Sequence, residues 1–339
     1  MTISDRKLEH LRLSLRRPVR FREKTTGFEA YDFTHCAAPE LDYAEISTEI
    51  AFLGKTISFP LIISAMTGGY RGAVRINRQL AEVCRLENIA MGVGSERQIL
   101  ENNRFLKSYQ IVRQTAPKNI IIGNIGCTQL LQMKDTGPVQ KMADLIEADA
   151  MAVHLNPLQE LLQPEGDRCF AGVLKAIERL AKTIRIPVIV KEIGCGISGE
   201  VAKKLVSAGA AYIDVAGAGG TSWAGIESYR NRKNRLARLF WDWGIPTAES
   251  VEAVSRIKGA RVIASGGIRN GIDMAKALAL GAACCAAALS LLRVLHSKKT
   301  AGLVKEIQLW RETLKMVMFL TGCKDIRTLQ NKNNLQRIQ

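Results

Sequence analysis

Residues 187–194 read PVIVKEIG and residues 212–221 read YIDVAGAGGT. In each, a short and mostly apolar run with β-branched residues breaks into charged or glycine-rich chain, which is how a buried strand ends in a loop. The same pattern recurs along the sequence. Pro60–Ala65 precedes Met66-Thr67-Gly68-Gly69, Ile89–Val93 precedes Gly94-Ser95-Glu96-Arg97, and Ile120–Gly123 precedes Asn124-Ile125-Gly126. Ala150–Val153 leads into His154-Leu155-Asn156, Arg261–Ala264 into Ser265-Gly266-Gly267-Ile268, and Ala282–Ala287 is the last such run. Stretches of helical period, such as Ala73–Glu87 and Val173–Lys182, lie between them. Strand and helix in alternation imply parallel pairing, and eight units close a (β/α)8 TIM barrel of class α/β. Chemistry in such barrels sits where strands end, so the trailing residues form a draft active site.

A barrel needs about 250 residues, and this chain has 339. Three regions are expected: an N-terminal extension over 1–59, the barrel over 60–297, and a helical extension with a polar tail over 298–339. Within the first, Thr48–Phe59 reads as a hairpin around Leu53-Gly54-Lys55 that plugs the barrel floor. The charge is +16, from 48 Lys and Arg against 32 Asp and Glu, which favours an anionic partner without saying which. The basic residues concentrate in Arg6–Lys24 and Arg230–Arg238, where a solvated helix face is the alternative reading. Eight cysteines without a C-x-x-C pair argue for free thiols in a reducing cytoplasm, with neither a disulfide frame nor a zinc site. Arg6, Lys7 and Glu9 stand where a signal peptide needs apolar residues. The longest uncharged run, Ala277–Leu292, has 16 residues and is already used by the barrel, so a soluble protein with no membrane partner is expected.

Three of the loops are rich in glycine or alanine. Ser265-Gly266-Gly267-Ile268-Arg269, Ala286-Ala287-Ala288-Leu289 and Ala216-Gly217-Ala218-Gly219-Gly220-Thr221 follow successive strands, and small residues let a phosphate approach backbone N–H groups. Lys191 ends an apolar strand, where an idle charge is costly. It could be a Schiff-base nucleophile or a fixed cation beside a cofactor ring, or it could pair with Glu192 or Asp214. Asn124 and Ser95 offer neutral hydrogen bonds suited to the edge of a heterocycle. The segment His154-Leu155-Asn156-Pro157-Leu158-Gln159-Glu160 packs four polar groups into seven residues. Glu160 could hold magnesium together with phosphate oxygens, or face a helix macrodipole. His154 could be an acid, a base or a satisfied core histidine.

Taken together, these motifs resemble the type 2 isopentenyl-diphosphate isomerase family, FMN-dependent barrel enzymes. The resemblance runs from Arg6 to about Leu292. It includes Arg6-Lys7-x-x-His10, Ala65-Met66-Thr67-Gly68-Gly69, Gly94-Ser95-x-Arg97, the His154–Glu160 heptapeptide, Lys191-Glu192, Gly219-Gly220-Thr221-Ser222-Trp223 and Ser265-Gly266-Gly267-Ile268-Arg269. The heptapeptide and the N-terminal motif are the parts specific to the family. The resemblance implies that Ala65, Met66, Thr67, Ser95, Asn124, Lys191 and Thr221 hold the flavin ring and ribityl chain. Gly266, Gly267, Arg269, Ala288 and Leu289 would hold its phosphate. Arg6, Lys7, His10, Ser95, Arg97 and Asn156 would bind the substrate, with Gln159 beside the reacting carbons, His154 and Lys191 as further catalytic groups, and Glu160 on Mg2+. Arg6 and Lys7 could come from a neighbouring subunit, since the family implies self-association as a homotetramer or larger. The chain departs from the family at Glu96, often Gln, which adds negative charge near the diphosphate. It departs again at Ala286-Ala287-Ala288, where Gly-Met-Ala is usual.

The implied reaction interconverts isopentenyl and dimethylallyl diphosphate in isoprenoid biosynthesis, so one carbon gains a proton and another loses one. No carboxylate pair stands at the strand ends to do this. The resemblance supplies reduced FMN as acid and base, with NADPH as reductant. Lys191 near N1 would favour the anionic reduced form; at ~4 Å in a surface-like dielectric, one charge pair is worth about 4 kcal/mol before desolvation. Trp223 could shield the developing cation with its ring face or simply pack. The alternative is an FMN-dependent barrel oxidoreductase acting on a small anionic substrate, such as a 2-hydroxy-acid oxidase. That chemistry needs a histidine after the later strands, whereas the four histidines are His10, His35, His154 and His296. A Schiff-base lyase on Lys191 and an RNA-binding role are the other readings. RNA recognition calls for aromatic residues among the basic ones, where only Tyr229 stands, so no nucleic-acid partner is expected.

Overall fold

The structure is a computed structural model that describes residues 2–231 and 233–338. The strands are β1 (Tyr31–Phe33), β2 (Ile50–Phe52), β3 (Lys55–Ile57), β4 (Leu61–Ile63), β5 (Ala90–Gly92), β6 (Ile121–Gly126), β7 (Ala150–His154), β8 (Val188–Lys191), β9 (Tyr212–Asp214), β10 (Val262–Ala264), β11 (Ala282–Ala287) and β12 (Leu335–Arg337). Strands β4 to β11 pair in parallel with their sequence neighbours, and β11 closes on β4 through Cys285 opposite Leu61 and Ala287 opposite Ile63. This is a (β/α)8 barrel. All eight runs read as strands fall in it. Three run further than their apolar stretches: β7 reaches His154, β8 reaches Lys191, and β6 continues through Asn124-Ile125-Gly126 because β7 pairs with it as far as Gly126 opposite His154.

Both faces of each strand are covered, so parity decides which residues reach the barrel axis. Leu61, Ile63, Ile121, Val188, Val190 and Ile213 join the large cluster shared with the outer helices. Ile62, Ala90, Ile122, Ala152, Ile189, Tyr212 and Ile263 form a separate inner cluster. Phe52 and Ile57 of the β2–β3 hairpin complete that inner cluster and close the floor, with the Phe52 ring 5.0 Å from Tyr212 in an edge-on contact. The hairpin turns through Leu53 (φ 47) and Gly54 (φ 77), the two left-handed residues a tight antiparallel turn requires. Lys55 at the turn reaches Asp149 at 2.6 Å, pinning the hairpin to the lower end of β7.

The large cluster also takes in Phe28, Tyr31 and Ile46 on one side and Leu303, Ile307, Leu314 and Leu329 on the other, so both extensions share the barrel's outer core. The position 297/298, where the helical extension was expected to begin, lies inside one helix, Leu289–Leu320, beside its kink at Lys299. The polar tail has secondary structure of its own. It carries the short helix Ile326–Asn331 and then β12, which pairs antiparallel with β1. Its alternation of polar residues hid that pairing, since a two-stranded edge needs backbone more than an apolar face.

Helix α1 (Ile3–Arg16) opens with a capping box between Thr2 and Asp5 and has no fully buried residue. It is held by polar contacts instead. Ser4 donates to the Gly69 carbonyl (2.9 Å), Arg230 pairs with Glu9 (3.0 Å), and Arg293 donates to the Ser14 (2.8 Å) and Arg17 (2.9 Å) carbonyls at its end. Among the described residues, no helix is long and apolar enough to cross a membrane.

Candidate active site

The parity that fills the barrel floor with Ile62, Ile122, Ala152, Ile189, Tyr212 and Ile263 brings polar groups inward two residues later, at Ser64, Asn124, His154, Lys191, Asp214 and Ser265. Above them opens a cavity of about 300 Å3, lined by residues from the loops after all eight barrel strands, with Asp214 buried beside Lys191. Of the residues picked from the sequence, Arg6, Lys7, His10, Ala65, Met66, Ser95, Arg97, Asn124, His154, Asn156, Gln159, Glu160, Lys191, Thr221, Gly266, Gly267, Arg269, Ala288 and Leu289 all line this cavity. Thr67 does not. It is buried behind the wall, where its hydroxyl bonds to Asn77 on the helix Ala73–Glu87. Arg6 and Lys7 line the cavity of their own chain.

Its electrostatics are one-sided. Among the described lining residues, Arg6, Lys7, Arg20, Arg97, Lys191, Arg269 and Arg293 are cationic, and Glu160 is the lone carboxylate. Cations so concentrated are stable only if shared with counter-ions, so the cavity is built for a strongly anionic occupant.

At the β8 corner, Lys191 Nζ lies 3.5 Å from Asp214 Oδ2 and donates to the Glu192 carbonyl at 2.5 Å. Asp214 in turn accepts from the Ser265 hydroxyl and the Ala216 N–H. Of the three readings of Lys191, the pairing with Asp214 is the one the geometry contains, and it leaves a fixed cation at the cavity wall. The Glu192 side chain turns away from Lys191. One oxygen accepts the N–H groups of Ile193, Gly194 and Cys195 at 2.6, 2.7 and 2.6 Å, which folds the loop after β8 around it.

His154 Nδ1 lies 2.9 Å from Asn124 Oδ1, so the ring donates from Nδ1 and presents Nε2 as an acceptor. Burial, then the charges of Lys191 and Lys7, lower its pKa to about 3. At that value His154 is neutral near pH 7, with Nε2 facing the cavity as an acceptor. Just ahead of the helix Pro157–Leu162, Asn156 donates to both Gln159 Oε1 (3.0 Å) and Glu160 Oε1 (2.9 Å). Glu160 Oε2 accepts from Gln163 (2.7 Å) and from the Asp167 N–H (2.8 Å). The buried Asn156 Oδ1 beside them has no partner, which leaves an oxygen free for a cation or a ligand hydroxyl.

Lys7 is the cation most enclosed. Its ammonium donates to the carbonyls of Gly68 (3.1 Å) and Ser95 and to Tyr109 Oη (3.0 Å). Burial, with Arg6 adding repulsion, lowers its pKa to about 7. Glu96 corrects the expectation of added negative charge. It is fully buried, accepts the Asn124 N–H at 2.8 Å and has an unpartnered Oε2. Burial raises its pKa to about 8, against the pull of the Asn124 N–H and Lys7, so near neutrality it is mostly the neutral acid. Glu96 thus positions Asn124, and through it His154.

At the opposite end the glycines are required by close packing. A Cβ on Gly220 would stand 2.5 Å from the Gly267 nitrogen, and Gly266 (φ 99) and Gly267 (φ 83) both take left-handed conformations. Thr247, fully buried, bonds the Gly266 and Ala218 carbonyls and locks these loops together. Ala288 starts the helix Leu289–Leu320 with no side-chain cap, leaving its first N–H groups open toward the cavity. The residues present fit a flavin mononucleotide: a small-residue phosphate cradle at one end, and amides and a fixed cation around the ring position.

Residues 123–336 match the family described as FMN-dependent dehydrogenase. An isopentenyl-diphosphate delta-isomerase from Chlorobium phaeobacteroides is 44% identical over 97% of this chain and 94% of its own. One from Methanothermobacter thermautotrophicus is 44% identical over 97% and 92%. The chain belongs to the isopentenyl-diphosphate delta-isomerase family. Among solved structures, a lactate oxidase from Pediococcus acidilactici superposes with a TM-score of 0.71 over 100% of this chain and 96% of that one, at 16% identity, a likeness of fold alone. In this chain only His10 and His154 of the four histidines line the cavity, and neither follows a later strand.

The sequence pointed less clearly to what holds these residues. Glu227, Arg230 and Glu165 tie His10 and Glu9 of α1 to the barrel: His10 lies 2.9 Å from Glu227, and Arg230 is 2.7 Å from Glu227 and 3.0 Å from Glu165. The Arg230 end of the basic cluster is therefore internally neutralised. Its only signal was a Glu and an Arg three apart on one helix face. Arg20 and Arg293 were also missed, because neither belongs to a recognisable motif.

Proposed function

We propose that this chain interconverts isopentenyl and dimethylallyl diphosphate with reduced FMN bound across the barrel mouth. The observation that carries the reading is the excess of cations around one cavity that lacks a pair of titrating acids. Seven cationic side chains and a neutral His154 suit an anionic cofactor and an anionic substrate, while protein acid–base chemistry has no second carboxylate. When bound, reduced FMN supplies a proton donor and acceptor at N5.

The chain's own residues do the rest. Lys191, held by Asp214, keeps a positive charge at the flavin ring. Glu96 fixes Asn124, which fixes the tautomer of His154. Arg6, Lys7, Ser95 and Arg97 grip the diphosphate, and the diphosphate charge draws a proton onto Lys7. Gln159 and Asn156 direct amide groups at the five-carbon chain. Trp223, edge-on to His10 at 5.2 Å, offers its face to the developing cation. Glu160 and the free Asn156 oxygen suit Mg2+; among the described residues no group of three His, Cys, Asp or Glu could hold a metal, so Mg2+ would share its shell with substrate oxygens and water. NADPH as reductant rests on the family resemblance. A cytoplasmic setting is supported by eight free cysteines. Assembly as a homotetramer or larger is supported by Leu239 and Trp243, 78% and 60% exposed, and a monomer in sedimentation would count against it.

The test is an assay with reduced FMN and a Mg2+ titration. The wild type should interconvert the two diphosphates without stoichiometric NADPH oxidation. Glu160→Gln should need roughly tenfold more Mg2+, as loss of one charge-assisted contact implies, with flavin content unchanged. Stoichiometric NADPH oxidation would instead favour an oxidoreductase.

A further inference from the structure

The seven cations exceed what the diphosphate grip and Lys191 use, and the surplus gathers at the phosphate end. Arg20, Arg269 and Arg293 line the cavity together, beside Gly267 and Ser290. Arg269 is committed to the Gly219 carbonyl at 2.7 Å and sits near Asp273. Arg20 and Arg293 have no acidic partner among the described residues. The Arg20 guanidinium makes no hydrogen bond there. Arg293 uses Nε and Nη2 on the Ser14 and Arg17 carbonyls and keeps Nη1 free. Arg20 repels each of the other two: after burial, its charge is the next cause lowering the pKa of both Arg269 and Arg293.

The backbone around Arg20 is built to stay there. Residues 19–26 cross the glycine loops as a strap. Ser222 N–H donates to the Val19 carbonyl (2.8 Å), Arg20 bridges antiparallel to Thr221, and the Trp241 indole donates to the Arg20 carbonyl (2.8 Å). A Cβ on Gly219 would strike the Thr25–Thr26 backbone, so strap and phosphate loop are in direct contact.

We propose that Arg20 and Arg293 complete the flavin phosphate site, and that phosphate occupancy thereby seats the strap and α1, the helix carrying Arg6 and Lys7. Arg293 is the joint. One edge of its guanidinium caps the end of α1, and the other is left for a dianion between it, Arg20 and Arg269. A bound phosphate relieves the repulsion among the three arginines, so the cofactor's phosphate and the substrate's grip are linked through one side chain. The proposal rests on the FMN reading above.

The experiment compares FMN with riboflavin on flavin-free full-length protein, by quenching of flavin fluorescence and by tryptic cleavage within residues 1–26. Wild type should prefer FMN and be protected from cleavage by FMN but not by riboflavin. Arg293→Gln should weaken FMN roughly tenfold or more, the usual scale of a charge-assisted contact, while riboflavin changes by less than about twofold. Arg20→Gln, at an exposed position with no side-chain bonds to lose, should shift the same ratio more weakly, and Arg293→Lys should restore part of it. Equal weakening of FMN and riboflavin by Arg293→Gln, or an unchanged preference in both Gln variants, would overturn the proposal. Wild type binding neither flavin would instead reject the FMN reading itself.

Discussion

Lys191→Met should be the most disruptive single change in the cavity. The substitution leaves Asp214, 4% exposed, with only the Ser265 hydroxyl and the Ala216 N–H against its charge. Removing one partner of a buried pair costs about 3–5 kcal/mol, because the remaining ion cannot reach water. The melting temperature of the flavin-free protein should therefore fall by roughly 5 °C or more. Lys191→Met with Asp214→Asn should recover most of that loss, since the stranded charge is gone. Isomerase activity should stay low in both, because the fixed cation at the ring is missing from each. Thermal melts of the two variants, with flavin content read from absorbance, separate these outcomes. A Lys191→Met protein that melts like wild type would mean that Asp214 is not ionised beside Lys191.

Arg97→Ala acts at the other end. The first helical residue after the β5 loop, Arg97 lines the cavity with Arg6 and Lys7. A charge-assisted contact to a diphosphate is worth ~1.5–3 kcal/mol, so KM should rise by about one to two decades with flavin content near normal. Deleting residues 1–9 should act in the same direction, since it removes Arg6 and Lys7. It also strips Glu9 from Arg230, so some stability is lost as well. Steady-state kinetics with a flavin absorbance ratio measures both. If Arg97→Ala strips the flavin while the deletion leaves KM alone, the two anion sites have been exchanged.

Much of this was legible in the sequence, because a parallel barrel leaves two clear marks. Its strands are apolar on both faces, and the residues lining its cavity stand directly after them, so PVIV followed by Lys191 and IIIG followed by Asn124 marked both the strands and the cavity wall. Even the hairpin plug showed itself, through the left-handed Leu53-Gly54 pair. What stayed hidden depends on contacts between distant segments. Nothing local in Glu96 announces that burial will neutralise it. Nothing in the tail announces that Leu335 will lie opposite Phe33. The helix α1 has no buried apolar face to betray its docking, because carboxylates, carbonyls and arginines hold it. Arg20 and Arg293, 273 positions apart by subtraction of their numbers, meet only once the chain is folded.

The central claim is that the flavin, in its reduced state, does what no pair of protein acids in the cavity can do. Its most direct test is turnover of isopentenyl diphosphate by one preparation in three states: flavin-free, with oxidised FMN, and with FMN reduced under anaerobic conditions. Dimethylallyl diphosphate should form only in the third state, with the flavin still reduced at the end. Equal turnover by the flavin-free protein would contradict the account.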